Sequence, residues 1–193
     1  MLLLKDIPKY ETLLAYSKRY PNVNPDSLEV YINLLRVASD VLEGLERYYS
    51  HHGTSQGRFT VLSLLNREPE KPLCPADLAD RSGVTRATMT GLLQGLEEEG
   101  LIKRTASVED KRMSYVALTA KGRKYLDGIL PDLFGRLGQL MDGVNDKEGR
   151  SMVKLLEKVR ERIEVLSAAN GESRDEKRIT RMPAMAPGRA RAA

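Results

Sequence analysis

Residues 78–92 read LADRSGVTRATMTGL, and this stretch decides which fold the sequence predicts. Two helices that cross closely need a small residue at the crossing, a turn residue that tolerates positive φ, and an apolar anchor in the second helix. Ala79, Gly83 and Met89 meet these requirements in that order. The remaining inward positions are predicted to be Leu78, Val84 and Leu92. The stretch therefore predicts a helix-turn-helix.

The N-terminal half of the second helix is predicted to be exposed. Its residues are Thr85, Arg86, Ala87, Thr88 and Thr90. In helix-turn-helix proteins this half enters the major groove of DNA, where an arginine has the reach for a guanine edge or a phosphate. Thr85 is predicted to cap the helix, whose free backbone N–H groups favour a phosphate. The alternative is an ordinary pair of helices in an all-α protein.

Two strand-like segments, 101–105 and 113–118, follow the second helix and predict a β-hairpin. The loop between them is longer than a tight turn and rich in charge, which suits a wing that reaches the minor groove. Arg112 is predicted to enter that groove, and Lys111 and Arg104 to add DNA contacts. Asp110 would repel phosphate if it were free, so it is predicted to hold a nearby cation and shape the loop. A solvated charged turn is the alternative.

Helical patterns flank this lobe on both sides. Asp6 is a candidate N-cap for the first, and Asn145 with Glu148 forms a capping box that opens the last. Pro131 is expected to kink the helix in which it lies. The predicted helices cover 9–20, 26–49, a segment capped by Thr54 or Ser55, two segments within 75–99, 120–141, and a segment from Asn145. The predicted fold class is mainly α with a small β-hairpin wing, and the tail from Asn170 is predicted to be disordered.

The composition excludes several classes of protein. The chain has 193 residues, a net charge of +4 and a single cysteine, Cys74, so an intramolecular disulfide is excluded. Cys74 precedes Pro75, where a helix N-terminus favours a thiolate, so a redox role stands as an alternative to a packing or capping role. The adjacent His51 and His52, without a cysteine cluster, do not predict a zinc site. The N-terminal apolar run is too short for a spanning helix, so a cytoplasmic protein without membrane contact is expected.

No combination of residues in the sequence predicts catalysis. There is no Gly-rich phosphate loop, nucleophile elbow or supported Ser/His/Asp arrangement. The run Glu97-Glu98-Glu99 is interpreted as a solvated helix face, because contiguous carboxylates at a helix end usually are. The chain is therefore not expected to be an enzyme or to need a cofactor.

Three further motifs resemble the MarR family of dimeric winged helix-turn-helix regulators. They are Leu96-Glu97-Glu98-Glu99-Gly100-Leu101-Ile102-Lys103-Arg104, then Asp110-Lys111-Arg112, and then Leu118-Thr119-Ala120-Lys121-Gly122. Ser55-Gln56-Gly57-Arg58-Phe59 and the helix order are also similar to the family. The resemblance covers roughly residues 28–166.

The resemblance implies a domain organisation. Residues 54–119 would form the winged helix-turn-helix lobe, and 25–53 with 120–169 a helical dimerisation region of an obligate homodimer. Residues 1–24 would be an extension with a short helix, and 170–193 a disordered basic tail. The helix from Asp26 carries two apolar stripes, of which one would then meet the chain's own lobe and the other the partner subunit. The first consists of Leu28, Tyr31, Leu35, Ala38, Leu42, Leu45 and Tyr49, and the second of Val30, Leu34, Val37 and Val41.

The resemblance also implies a function. The expected activity is sequence-specific binding of a palindromic double-stranded DNA operator by a transcription regulator, usually a repressor, which a small-molecule effector releases. The effector pocket would lie where the dimerisation helices meet the DNA-binding lobe. The alternative is a winged-helix module that binds proteins, which the basic residues of the second helix and the wing argue against.

Overall fold

The computed structural model describes residues 5–106 and 114–169. Within these ranges the chain forms seven helices and one two-stranded antiparallel sheet. The elements are α1 (Tyr10–Arg19), α2 (Pro25–His51), α3 (Gln56–Arg67), α4 (Pro75–Ser82), α5 (Arg86–Glu98), β1 (Ile102–Ala106), β2 (Ser114–Leu118), α6 (Ala120–Leu140) and α7 (Asp146–Ala169). The predicted fold class, mainly α with a small hairpin, is confirmed.

Side-chain caps explain where several helices begin. Asn24 accepts a hydrogen bond from the Ser27 N–H at 2.8 Å and opens α2. Ser55 caps α3 in the same way, which settles the choice between Thr54 and Ser55. The predicted N-cap Asp6 is wrong, because α1 begins after Lys9, whose side chain makes no capping bond.

The capping box predicted for α7 is confirmed by two reciprocal hydrogen bonds. The Glu148 N–H donates to Asn145 Oδ1 at 3.1 Å, and the Asn145 N–H donates back to Glu148 Oε2 at 3.0 Å. Two backbone donors that the helix leaves without partners are thereby satisfied.

One hydrophobic core joins α3, α4, α5, the hairpin, the end of α2 and the first part of α6. Its fully buried side chains include Leu62, Leu78, Met89, Leu93, Leu96, Val116 and Leu126. At its edge the Tyr49 and Phe59 rings stack with centroids 4.6 Å apart, and burial raises the pKa of the Tyr49 hydroxyl. The site residues described below are therefore held by a packed interior.

Two tyrosines fasten the end of α2 to α6. The Tyr48 hydroxyl donates to the Ile129 carbonyl at 3.1 Å, and the Tyr125 hydroxyl donates to the His52 carbonyl at 3.1 Å. One hydrogen bond is donated from each side, and together they link the end of α2 to α6 at two points. This contact places the aromatic end of α2 beside the core of the lobe.

The hairpin gains a third partner from the segment before α4. Within the hairpin, Ile102 pairs with Leu118 and Arg104 pairs with Val116. On the other side of β2, the Leu73 N–H donates to the Val116 carbonyl at 3.1 Å and the Val116 N–H donates to the Leu73 carbonyl at 2.8 Å. The wing is thus bonded to the start of the helix-turn-helix.

The junction between β2 and α6 explains the motif Leu-Thr-Ala-Lys-Gly. Thr119 caps α6 by accepting from the Gly122 N–H at 3.0 Å, while its hydroxyl donates to the Gly100 carbonyl at 2.7 Å. A Cβ on Gly122 would lie 2.1 Å from the Leu101 carbonyl oxygen, so only glycine fits there. The helix continues through Pro131, and the kink expected there stays a prediction.

The two stripes predicted on α2 do not divide cleanly into covered and exposed sets. Leu45 and Tyr48 pack on the core and Tyr49 is buried. Tyr31 and Leu42, assigned to the same stripe as Leu45 and Tyr49, are 56% and 49% exposed. α1 packs on α2 and buries Leu13. A row of large apolar side chains on α2 therefore lies open in the single chain.

The chain divides into two compact units after Gly135, within α6. In the described part of the second unit, most large apolar side chains are exposed, including Leu140, Met152, Leu155, Leu156, Val159, Ile163 and Leu166. None of the helices in residues 5–106 and 114–169 is both long and apolar enough to cross a membrane.

Candidate nucleic-acid interface

The turn between α4 and α5 has the geometry that its sequence predicts. Gly83 lies in the left-handed region with φ +68° and ψ 27°, which is easily reached only without a Cβ. The Val84 N–H donates to the Ala79 carbonyl at 3.1 Å and closes the turn. Ala79 is 1% exposed, so the small side chain lies inside the lobe. The helix-turn-helix prediction is confirmed.

The buried face of α5 fixes how the helix lies on the lobe. Met89, Leu93 and Leu96 are all fully buried, at a spacing of four and then three residues. The anchor predicted at Met89 is confirmed, whereas Leu92, predicted to point inward, is only partly buried. The fully buried neighbour is Leu93, which was missed because adjacent leucines give a periodic pattern two possible registers.

The opposite face at the start of α5 is open. Thr85, Arg86, Ala87, Thr88 and Thr90 are all exposed. The Thr85 hydroxyl oxygen caps α5 by accepting from the Thr88 N–H at 3.1 Å, as predicted. The hydroxyls of Thr85 and Thr88 lie 2.9 Å apart, and Thr90 donates its hydroxyl to the Arg86 carbonyl at 2.9 Å. Local hydrogen bonds thus fix the threonines, while the Arg86 side chain extends from an ordered helix start.

Cys74 takes the position of a helix cap. Its sulfur accepts from the Asp77 N–H at 3.4 Å, and the residue is partly buried. This geometry agrees with the capping interpretation of the sequence. The redox alternative stays a prediction.

The described part of the wing places one predicted contact residue and leaves the others outside. Lys111, Arg112 and the wing-shaping Asp110 lie outside the described residues. Arg104 is described, and its Nε lies 3.0 Å from Glu97 Oε2 of α5. The two groups form an ion pair, although Nε is aligned too poorly for a hydrogen bond to any described residue. A direct DNA contact by Arg104 stays a prediction.

The three glutamates at the end of α5 are exposed, as predicted for a solvated face, and each also has a partner that the sequence did not predict. Glu97 pairs with Arg104, and Glu99 forms an ion pair with Arg58 of α3. Glu98 accepts a hydrogen bond from Gln94 Nε2 of the same helix at 2.9 Å. Lys121 also donates to the Glu99 carbonyl at 2.6 Å. Glu97 and Glu99 pair with residues of other elements, and no local pattern signals such pairing.

The two histidines end α2. His51 is its last residue, and the His52 ring lies 4.5 Å from the Tyr48 ring, between centroids. Across the described residues, no three of the histidine, cysteine, aspartate and glutamate side chains are grouped as a metal site would need.

The chain is similar in sequence to known transcription regulators. The sequence model of the MarR family matches residues 52–113. The HTH-type transcriptional repressor YetL of Bacillus subtilis (strain 168) is 36% identical over 162 residues, which are 84% of this chain and 97% of that protein. The match thus covers nearly the whole relative.

Solved structures give the same fold. The S. aureus MepR–DNA complex superposes with a TM-score of 0.61 at 18% identity, covering 69% of this chain and 95% of that chain. CouR from Rhodococcus jostii RHA1, bound to p-coumaroyl-CoA, superposes with a TM-score of 0.59 at 25% identity, covering 69% of this chain and 92% of that chain. Each superposition covers more than nine-tenths of the solved chain, so the fold is shared over nearly its whole length.

Proposed function

Since the chain belongs to the MarR family of DNA-binding transcription regulators, we propose that it represses genes by binding a palindromic operator as a homodimer. A small-molecule effector then releases it. The curated relatives are transcriptional regulators and not enzymes. The named relatives are bacterial, so the proposed place of action is the cytoplasm, where bacterial DNA lies.

The exposed N-terminal half of α5 is the observation that carries the proposal. Its side chains do not contribute to the core, while Met89 holds the helix from the other side. An open helix start of this kind fits the major groove and presents free N–H groups to a phosphate. We therefore assign the base and phosphate contacts to Thr85, Arg86, Ala87, Thr88 and Thr90.

Arg86→Ala is expected to weaken binding to the operator by about 1–3 kcal/mol and to relax the base preference at one position of each half-site. The physical reason is the loss of the guanidinium group, which can donate two hydrogen bonds to the edge of a guanine base. Affinity is measured for duplexes that carry each base at each position. Arg81→Ala, an exposed arginine of α4, controls for the loss of one positive charge. An equal loss for every sequence would reduce Arg86 to a phosphate contact.

The proposed function is tested by selecting duplexes from a random pool with the purified protein. The enriched duplex and a scrambled control are then compared across a salt series. The expected result is a palindrome bound far more tightly than the control, with half-sites about 10 base pairs apart. Equal, weak and salt-sensitive binding to both duplexes would contradict sequence-specific binding.

The homodimer is proposed from the apolar surface that one chain leaves open. Leu155 and Ile163 of α7 are 62% and 58% exposed, and Val30 of α2 is 64% exposed. Apolar rows of this extent mark protein interfaces. A second copy of the chain would cover them and would supply the second recognition helix that a palindrome requires.

The wing is proposed to contact the minor groove through Lys111 and Arg112. We expect Arg112→Ala to lower affinity and to reduce the slope of log affinity against log salt by about 0.9, as the loss of one phosphate-neutralising charge does. Titrations of the enriched duplex at several salt concentrations measure that slope. An unchanged affinity and slope would contradict the assignment.

The effector site is proposed beside the aromatic end of α2. Tyr48, His52 and Tyr125 meet there, at the joint between a helix with exposed apolar residues and the DNA-binding lobe. A small molecule bound at this joint would favour dimers whose recognition helices are wrongly spaced for the operator. The neighbour CouR is bound to p-coumaroyl-CoA, which makes aromatic compounds a reasonable first set. A screen for loss of binding to the enriched duplex tests this, and a complete absence of effect would favour an effector-independent regulator.

A further inference from the structure

Three glutamates occupy an electrostatically unfavourable place at the C-terminal end of α5. The last turn of a helix carries partial negative charge, so carboxylates there are disfavoured and cations are preferred. The last turn of α5 has no basic residue, and Glu97, Glu98 and Glu99 follow one another there. A local cost of this kind is expected to be offset by contacts elsewhere in the fold.

The hairpin register shows why Glu97 meets an arginine. Side chains alternate between the faces of a strand, so Arg104 shares a face with Ile102. That face is the buried one, because the cross-strand neighbours Val116 and Leu118 are 0% and 3% exposed. Arg104 therefore lies on the side of the wing that packs on the lobe, where α5 contacts β1.

Arg104 is more buried than a residue that is free to contact DNA would be. Its Nε is shielded from solvent and lies 3.0 Å from the Glu97 carboxylate. Lys103, its neighbour on the opposite face of β1, is exposed. A buried guanidinium nitrogen needs a compensating charge, and Glu97 supplies it. The pair joins the recognition helix directly to the wing.

We propose that Glu97 and Arg104 are positioning residues that fix the wing against the recognition helix, and that Arg104 acts on DNA affinity through Glu97 and not by touching DNA. The inference rests on the proposed function, because it concerns how two DNA-contacting elements are held. Without such a role, the opposite charges of Glu97 and Arg104 would cancel and the pair would have no effect on DNA binding.

Charge-neutral and charge-swapped variants test the pair. Glu97→Gln and Arg104→Gln are each expected to weaken binding to the enriched duplex about three- to fivefold, the scale of a partly exposed ion pair. The double variant is expected to lose no more than either single one, and the swap Glu97→Arg with Arg104→Glu to restore affinity. The salt slope of Arg104→Gln is expected to equal that of the unmodified protein, since no phosphate contact is lost.

Glu98→Gln is the matched control, because it removes the same charge from the adjacent residue without touching the wing pair. It is expected to bind at least as tightly as the unmodified protein. The proposal is overturned if Arg104→Gln lowers the salt slope by about 0.9 while Glu97→Gln binds as tightly as Glu98→Gln. That result would make Arg104 a direct phosphate contact.

Hydrogen exchange in the free protein separates this proposal from the proposed function. Glu97→Gln and Arg104→Gln are expected to speed exchange of the amides that pair β1 with β2, and Glu98→Gln to leave their exchange unchanged. If the unmodified protein selected no duplex, the proposed function would fail while this measurement still reported on the pair. Unchanged exchange in both variants would overturn the positioning role.

Discussion

A Gly122→Ala variant is expected to lose at least about 1–3 kcal/mol of its free energy of unfolding, through overpacking against backbone. The added methyl would lie 2.1 Å from the Leu101 carbonyl oxygen and 3.2 Å from Leu118 Cδ2. That carbonyl cannot turn away without losing the Thr119 N–H, which donates to it at 3.0 Å. The clash would therefore separate the wing from the start of α6.

Urea unfolding of Gly122→Ala is measured beside Gly128→Ala from the same helix. A Cβ at Gly128 meets nothing within 4 Å, so alanine there is expected to be neutral or to stabilise α6 by up to about 1 kcal/mol. If the free energy of unfolding falls for Gly122→Ala but not for Gly128→Ala, the contact with the Leu101 carbonyl is identified as the cause of the loss. Equal unfolding midpoints would contradict the packing described for Gly122.

The double variant Leu155→Glu and Ile163→Glu is expected to abolish the dimer and to lower operator affinity at least about a hundredfold. Both side chains are largely exposed on α7 of the single chain. If a second copy covers them, two buried carboxylates without partners would oppose association. A monomer would then bind one half-site and lose the avidity of a linked pair. Sedimentation and duplex titration measure the two effects.

Lys158→Glu provides the control for charge. It changes the net charge by the same amount as the double variant, and Lys158 is exposed on the same helix. The control is expected to remain dimeric. A double variant that sedimented as a dimer would show that α7 does not supply the interface.

The helix-turn-helix could be predicted from sequence because its determinants are local. The left-handed turn needs Gly83, the close helix crossing needs the small Ala79, and the second helix needs Met89 as its anchor. All three requirements are met within one short stretch of sequence. The capping box of α7 is local in the same sense. Such features depend on backbone chemistry that the neighbouring residues alone determine.

The features that sequence reasoning missed depend on partners far along the chain. The ion pair of Glu97 was missed because its partner Arg104 belongs to a strand, and only the hairpin register turns that arginine inward. The need for glycine at position 122 was visible as a motif, but its cause is the Leu101 carbonyl. Tertiary packing decides both cases.

The bridge between Leu73 and Val116 has a consequence for the behaviour of the protein at high concentration. A two-stranded hairpin normally exposes unpaired backbone groups along both outer edges, which invite strands from other molecules and lead to aggregation. Leu73 occupies one of these edges at the middle of β2. The other edge belongs to β1, where the exposed Lys103 discourages stacking of like-charged copies. The described part of the hairpin is thereby protected from the addition of strands from other molecules.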